Sequence, residues 1–470
     1  MRKSVSPNFR EYVLRKYPAL VGNPAYLRFF RYLCFGDFFD KKSSQLVVPT
    51  KMLAEECCLK TWDRNFNGKD FLVAFKSQVL PDLTWVEHKA FPTDSWLGKA
   101  RQVESLGFDA EMLSALHQEC ISPSDKLVDF VTGEQVGSSS IYAERRQETE
   151  HYEAELAQRS LNPTQTKMIN YLRRIKAGSL FLPRISLNAD KIKNAIGTLS
   201  PVVQQMQYQT LANIQRNPNV YYLPSERGHT CRLSPTGDSV LGLKSEVRKA
   251  VCSGLVDCDL RSSQFSILAA KLNAPRSQEL IASGASLWKS FYRHTHGVDG
   301  EPPAKIKKVF KEGIYSLCFG KSTPNLANML NDHKLAGLLS HPVFRELLQL
   351  REGWFKEIKK AGGAADVWGA WQALDLTKDP ATNKSHRWEG AIAASVIQSV
   401  EMEIIAPIFD VAIKHGSAQQ FGICLFQHDG ACISFQSKNK QPKAEALLKE
   451  AVEARAQQLG VATVLEFKPL

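Results

Sequence analysis

The stretch LVDCDLRSSQFSILAAKL, residues 255–272, decides the reading of the fold. Its first part is short and apolar, as a buried strand is, and delivers Asp259 at the strand's end. A polar turn follows, and from about Phe265 the apolar residues recur at helical spacing. A carboxylate at the end of a rigid strand, with the carbonyls of the next turn beside it, is placed to hold a metal ion. The commoner use of such an aspartate is as a helix cap or turn former, and on this stretch alone both uses stay open.

A second stretch, ICLFQHDGACISF, residues 423–435, has two apolar strands flanking His428-Asp429-Gly430. It predicts a tight hairpin with Asp429 at its tip, although Asp-Gly is also an ordinary turn signal. Taken together, two aspartates on neighbouring strands can hold two Mg²⁺ ions about 4 Å apart. Mg²⁺ keeps several waters and takes few protein carboxylates, so two suffice. Such a pair would lower the pKa of an attacking hydroxyl and neutralise a triphosphate and its leaving pyrophosphate.

Between the two lies AKIKKVFKEGIYSLCFGKS, residues 304–322. Lys307, Lys311, Tyr315 and Phe319 are each four residues apart, so the spacing predicts one helix face. Two cations and two aromatic rings on one face suit a nucleoside triphosphate: ammonium groups for the phosphates, rings for base and sugar. An amphipathic helix with a solvated basic end is the plainer alternative.

Working outward, 470 residues are too many for one ordinary core and predict two or three domains. A net charge of +12 biases the chain toward a polyanion. No apolar run approaches the roughly 18 residues of a membrane helix, and no apolar stretch follows the basic N-terminus to make a signal peptide; a cytoplasmic protein is expected. The ten cysteines are scattered, and the adjacent Cys57-Cys58 has no CxxC partner, so buried free thiols are expected in place of a zinc site or disulfides.

Residues 1–120 read as helical, and VPTKMLAEECCLKTWDRNF, residues 48–66, predicts a short helix capped by Thr50, either an ordinary helical packing unit or part of a helix-turn-helix or winged-helix module. The polar segment 121–160 ends in a Gly/Ser cluster and a charged run, and is read as a linker or domain edge. Helical patterns return in TQTKMINYLRRI and SPVVQQMQYQTLANIQ. Beyond residue 240 short apolar runs alternate with long helical ones, which predicts an α+β fold with a small antiparallel sheet among many helices.

These residues resemble motifs A, B and C of the family A, DNA polymerase I-like DNA polymerases and the related single-subunit RNA polymerases. DLRSSQFSILA is similar to DYSQIELRILA, with Asp259 on the metal aspartate. KKVFKEGIYSLCFG resembles RxxxKxxxFxxxYG, with Lys307, Lys311, Tyr315 and Phe319 on its marked positions. QHDG resembles the third motif, HDE or HDS, with Asp429 on the second metal aspartate and His428 beside the primer end. Upstream, GHTCRLSPTG is similar to a TGRLSS segment and places Arg232 near the primer terminus; Gln398 falls where the family has a minor-groove glutamine. The resemblance covers roughly residues 200–470.

The resemblance implies a right-hand polymerase with a palm sheet, helical fingers and a helical thumb. It divides the chain into a mostly helical N-terminal domain over 1–150 (a candidate nucleic-acid binder), thumb-like helices over 151–225, and palm and fingers over 226–470. Arg173, Arg174 and Lys176 would grip duplex phosphates. Two Mg²⁺ ions, with Mn²⁺ as a substitute, would rest on Asp259, Asp429 and the Leu260 carbonyl. Partners would be a primed DNA template, nucleoside triphosphates and replication accessory proteins, with no membrane; the enzyme would act as a monomer. The compact size points to a phage, plasmid or other mobile element.

Several positions depart from the family. Gln264 stands where the motif A glutamate gates against ribose, Phe319 lacks the tyrosine hydroxyl, and Gly430 replaces the motif C glutamate. Asp109-Ala110-Glu111 has the DxE spacing of a proofreading exonuclease but sits in a helical pattern, so no active exonuclease is expected. The leading expectation is a DNA-dependent DNA polymerase. The alternatives are an RNA polymerase or primase-like enzyme, and a catalytically silent nucleic-acid-binding protein on the same scaffold.

Overall fold

A computed structural model describes residues 4–36, 39–40, 45–49, 68–88, 100–121, 126–174, 181–218, 220–224, 231–332, 335–378 and 385–470. The architecture is α+β, as the alternation of apolar runs predicts, and it divides into two compact units.

The first unit comprises Met1–Leu156, Lys176–Tyr221 and Thr236–Ser253. Its helices begin at readable caps: Ser6 Oγ accepts from the Phe9 N–H, and Asn23 Oδ1 from the Tyr26 N–H. Their inner faces bring Phe9, Phe29, Phe30, Phe35 and Phe75 together, all buried. Residues 1–120 are not all helical, however. An antiparallel four-stranded sheet runs Phe39–Asp40, Gln45–Pro49, Ala100–Ser105, Thr84–His88, and a smaller one pairs Ser4–Val5 with Leu127–Asp129. These strands are two to six residues long, too short for the period-2 signal to rise above a helical background. The helix expected from Thr50 opens on the Gln45–Pro49 strand, and Thr50 itself, Cys57, Cys58 and Lys176 lie outside the described residues.

Asp109 and Glu111 have a structural use. Asp109 Oδ1 accepts from the Met112 N–H at 2.8 Å and caps the Ala110–Ile121 helix. Lys16 Nζ bridges Asp109 at 2.8 Å and Glu111 at 2.6 Å.

The second unit comprises Ala157–Ile175, Tyr222–Pro235 and Gly254–Leu470. Its centre is a four-stranded antiparallel sheet in the order Phe421–Phe426, Gly430–Phe435, Val256–Leu260, Leu465–Pro469. The two stretches that carry Asp259 and Asp429 are therefore neighbours, and the C-terminal strand flanks Asp259 on the other side. The helix after the first strand runs Ser263–Lys271, two residues earlier than the apolar pattern places it.

A sheet edge leaves backbone groups unpaired. On the Phe421–Phe426 edge two buried tyrosines take them up. Tyr171 Oη accepts from the Ile423 N–H at 3.2 Å; Tyr222 Oη accepts from the Phe426 N–H at 3.1 Å and donates to its carbonyl at 3.2 Å. The strand that leads into the Asp429 turn is thus fixed at its last residue.

Two consecutive helices, Glu389–Ile405 and Pro407–Gln419, make one stretch long and apolar enough to cross a membrane by length and composition. Reading short runs alone misses it. Most of it is buried within the unit, and Glu401 and Glu403 lie inside it. Glu403 is fully engaged, by Thr164, Trp368 and Arg455. The described cysteines are all free, and every one but Cys231 is buried.

Candidate active site

Asp259 is paired in register with Gly430, and the Leu260 N–H donates to the Asp429 carbonyl at 3.0 Å. Strand pairing alone brings the two carboxylates to one end of the sheet. The turn is built differently from an Asp-Gly hairpin. The Asp429 N–H closes on the Gln427 carbonyl at 2.9 Å, and His428 between them holds the left-handed conformation at φ 70°. A non-glycine residue there costs about 1–3 kcal/mol, a strain typical of sites where a side chain is aimed for use.

Gly430 itself needs no positive φ. A Cβ on it would lie 2.3 Å from the Cys258 carbonyl oxygen and 3.2 Å from an Asp259 carboxylate oxygen. Glycine at 430 is therefore what lets the two strands, and the two aspartates, approach.

Both carboxyls are held well above the usual carboxylate range. For Asp259 the causes are burial and then the charge of Asp257, partly offset by Lys468 and Lys311. For Asp429 they are burial, then the charges of Glu401 and Asp259. A cation bound between them would offset both the burial and the mutual repulsion.

The aspartates open onto a cleft of about 560 Å³. The Ala304–Cys318 helix also lines it, presenting Lys307, Lys311 and Tyr315 on the face that the spacing predicts. Lys307 lies 3.7 Å from Glu301, a residue of the same cleft. Tyr315 is exposed, and desolvation followed by the charges of Asp429, Glu401 and Asp259 pushes its hydroxyl up to about 12, so it stays a donor. Phe319 falls just past the helix end and stacks on Tyr315, with ring centres 6.3 Å apart. The helix end is pinned by buried Arg351, whose Nη1 donates to the Leu317 and Lys321 carbonyls, both at 3.1 Å.

Gln264 and Leu260 also line the cleft, whereas Arg232, Gln398, His428 and Phe319 lie outside its lining. Arg232 is paired with Glu401. His428 packs edge-on against Phe426, and burial, with Arg232 nearby, lowers its pKa to about 4, so the ring is neutral. Gln398 is buried on the Glu389–Ile405 helix, one turn before Glu401. Arg173 and Arg174 are exposed at the end of the Pro163–Arg174 helix.

Four residues of the site escape a motif reading. Asp257 shares the sheet face of Asp259, two residues upstream. Opposite them on the C-terminal strand stand Lys468, paired in register with Asp257, and Glu466, paired with Asp259; Lys468 Nζ lies 3.0 Å from Glu466. The fourth, Glu401, is buried at 1% exposure. Its signal in the sequence is a carboxylate inside a largely apolar helix, a placement that calls for a partner when buried.

Among the described residues no group of three or more His, Cys, Asp and Glu side chains is arranged to hold a metal ion. The donors on offer are the Asp259 and Asp429 carboxylates: hard oxygens, one on a strand and one in the turn beside it, both raised by burial and by neighbouring charges. That set fits Mg²⁺, which is content with one or two carboxylates and its own waters.

No protein-family model matches the sequence, and no curated protein matches it. Among solved structures, the chain is similar to the POL domain of Pol1 from M. smegmatis, in complex with DNA primer-template and dNTP. The identity is 14% and the TM-score 0.46, over 99% of this chain and 66% of that one, so the chain spans just under two thirds of that chain's length.

Proposed function

We propose that this chain is a template-directed nucleotidyltransferase that extends a primer 3′-hydroxyl, and specifically a DNA-dependent DNA polymerase. The observation that carries the reading is one cleft with Asp259 and Asp429 on its sheet side and Lys307, Lys311 and Tyr315 on its helix side. Acid pair, paired cations and an exposed ring are what a triphosphate and a hydroxyl nucleophile require in one place.

Asp259 and Asp429 would hold two divalent ions, Mg²⁺ or Mn²⁺, with the Leu260 carbonyl as a further oxygen. When bound, these ions supply charge neutralisation at the triphosphate and acidify the 3′-hydroxyl. The chain's own residues do the rest. Lys311 and Lys307 take the phosphate oxygens, and Tyr315 offers its ring to base and sugar. The 3′-oxygen bonds to the α-phosphorus as the bond to the β-phosphate oxygen breaks. The hydroxyl proton passes to solvent, and Lys311 donates a proton to the departing pyrophosphate. Gln264 stands at the sugar. The reading includes no proofreading centre; its support is that Asp109 serves as a helix cap and that Lys16 engages both Asp109 and Glu111.

An RNA polymerase or primase-like enzyme is the second reading, favoured by Gly430 at the turn and by Phe319, which lacks a tyrosine hydroxyl, whereas Gln264, a side chain at the sugar gate, speaks for the first. Primer extension on a DNA template with Mg²⁺ separates the two, with dNTPs against rNTPs and with or without primer. Extension with dNTPs and primer alone is the expected result. Primer-free products from rNTPs would move the chain to the second reading, and no product under any condition would overturn both.

A further inference from the structure

A chain of contacts in the second unit runs through one buried carboxylate. Glu401 Oε2 accepts from the Arg232 guanidinium, and Oε1 accepts from the Ser263 hydroxyl at 2.7 Å. Arg232 balances the charge of Glu401, which burial at 1% exposure would otherwise make costly. The serine bond is not needed for charge balance. Its consequence is orientation: Ser263 opens the Ser263–Lys271 helix directly before Gln264, and the preceding Ser262 is held in the left-handed region at φ 49°.

Gln264 is 5% exposed, lines the cleft, and its Oε1 has no hydrogen-bond partner among the described residues. A buried acceptor of this kind is costly unless something entering the site brings a donor. The sugar hydroxyls of a nucleotide are such donors.

We propose that Glu401 is a positioning residue that ties Arg232 to the first turn of the Gln264 helix and so fixes where that helix start, and Gln264 with it, stands against the sugar of the incoming nucleotide. The inference rests on the polymerase reading above. With the helix start fixed, the bulk of Gln264 opposes a 2′-hydroxyl. With the helix start released, Gln264 gives way, and its amide oxygen accepts a hydrogen bond from that same hydroxyl. The substrate class kept by the contact chain is thus the deoxynucleoside triphosphate. The selection is exerted through a residue that touches no part of the substrate.

Single-nucleotide extension of primed DNA with Mg²⁺ tests this, with kcat and KM read separately for a dNTP and its matching rNTP. E401Q keeps the shape and an acceptor for Ser263 but loses the ion pair. S263A keeps the ion pair and loses only the orienting hydroxyl, so the test stands even if E401Q folds poorly. Both variants are expected to lower the dNTP-to-rNTP ratio of kcat/KM by roughly tenfold, the scale of one hydrogen bond to a charged group, chiefly through a lower KM for the rNTP. E401Q is also expected to raise the KM for primed duplex, because Arg232 loses its fixed position. A Glu401 that merely supports the fold would depress both sugars alike, and an unchanged ratio in both variants overturns the inference. If the unsubstituted protein extends no primer with either sugar, the proposed function falls and this inference falls with it.

Discussion

Replacing Asp429 or Asp259 with alanine is expected to lower nucleotide incorporation by a factor of about a thousand or more, with binding of primed duplex changed by no more than about twofold. The size follows from what the pair would supply. Charge stabilisation by a bound divalent ion is worth several kcal/mol in the transition state, and about 4 kcal/mol is a thousandfold in rate. The loss should not come from unfolding. Each carboxyl is pushed up by burial and by its neighbours' charges, so removing either relieves repulsion. Neither variant is expected to melt below the unsubstituted protein near neutral pH. Single-turnover incorporation, duplex binding and a melting curve on the same preparations check all three statements. Incorporation within tenfold of normal in either variant would remove that aspartate from the site.

Lys311→Ala is expected to reduce kcat/KM for the triphosphate by about a hundredfold to a thousandfold, the cost of removing one preorganised charge at a developing anion. Lys311 shares the cleft with Asp259 and Asp429 and is among the charges that hold down the Asp259 pKa. Its removal should therefore also move the acid limb of the pH–rate profile to higher pH, because Asp259 then keeps its proton longer. Lys307→Ala should cost less, since Glu301 already stands 3.7 Å from that ammonium in a partly exposed pair. Steady-state kinetics across pH reads both effects, and an unchanged kcat/KM in Lys311→Ala would take this residue out of the triphosphate site.

The part of the site legible in the sequence is the part set by local periodicity. Asp259 at a strand end, Asp429 in a turn between two apolar strands, and Lys307, Lys311 and Tyr315 at four-residue spacing each need only a strand or a helix to place them. Lys468 and Glu466 could not be read this way. Their strand is ordinary in sequence and reaches Asp257 and Asp259 only through a long-range antiparallel pairing. Glu401 carried a signal, a charge within an apolar helix, but its partners Arg232 and Ser263 lie 169 and 138 residues away. The short strands of the first unit were lost because two to six residues cannot outweigh the helical pattern around them. Gly430 reads as a turn residue by its Asp-Gly context, while the structure uses it for the close approach of two strands. A steric need of that kind has no periodicity at all.

The most direct test of the account is Mn²⁺ binding to the protein, followed by electron paramagnetic resonance, for the unsubstituted chain and for Asp259→Asn with Asp429→Asn. Metal takes the ionised carboxylates, and the raised acids keep their protons from the ordinary value of 3.8 toward neutral pH. Binding must therefore tighten as pH rises through the weakly acid range toward neutrality, and fall away as pH drops. The predicted result is Mn²⁺ bound by the unsubstituted chain with that pH dependence, and lost in the double variant at the same concentrations. Equal binding by the double variant, or binding indifferent to pH across that range, would contradict the assignment of the metal site to Asp259 and Asp429.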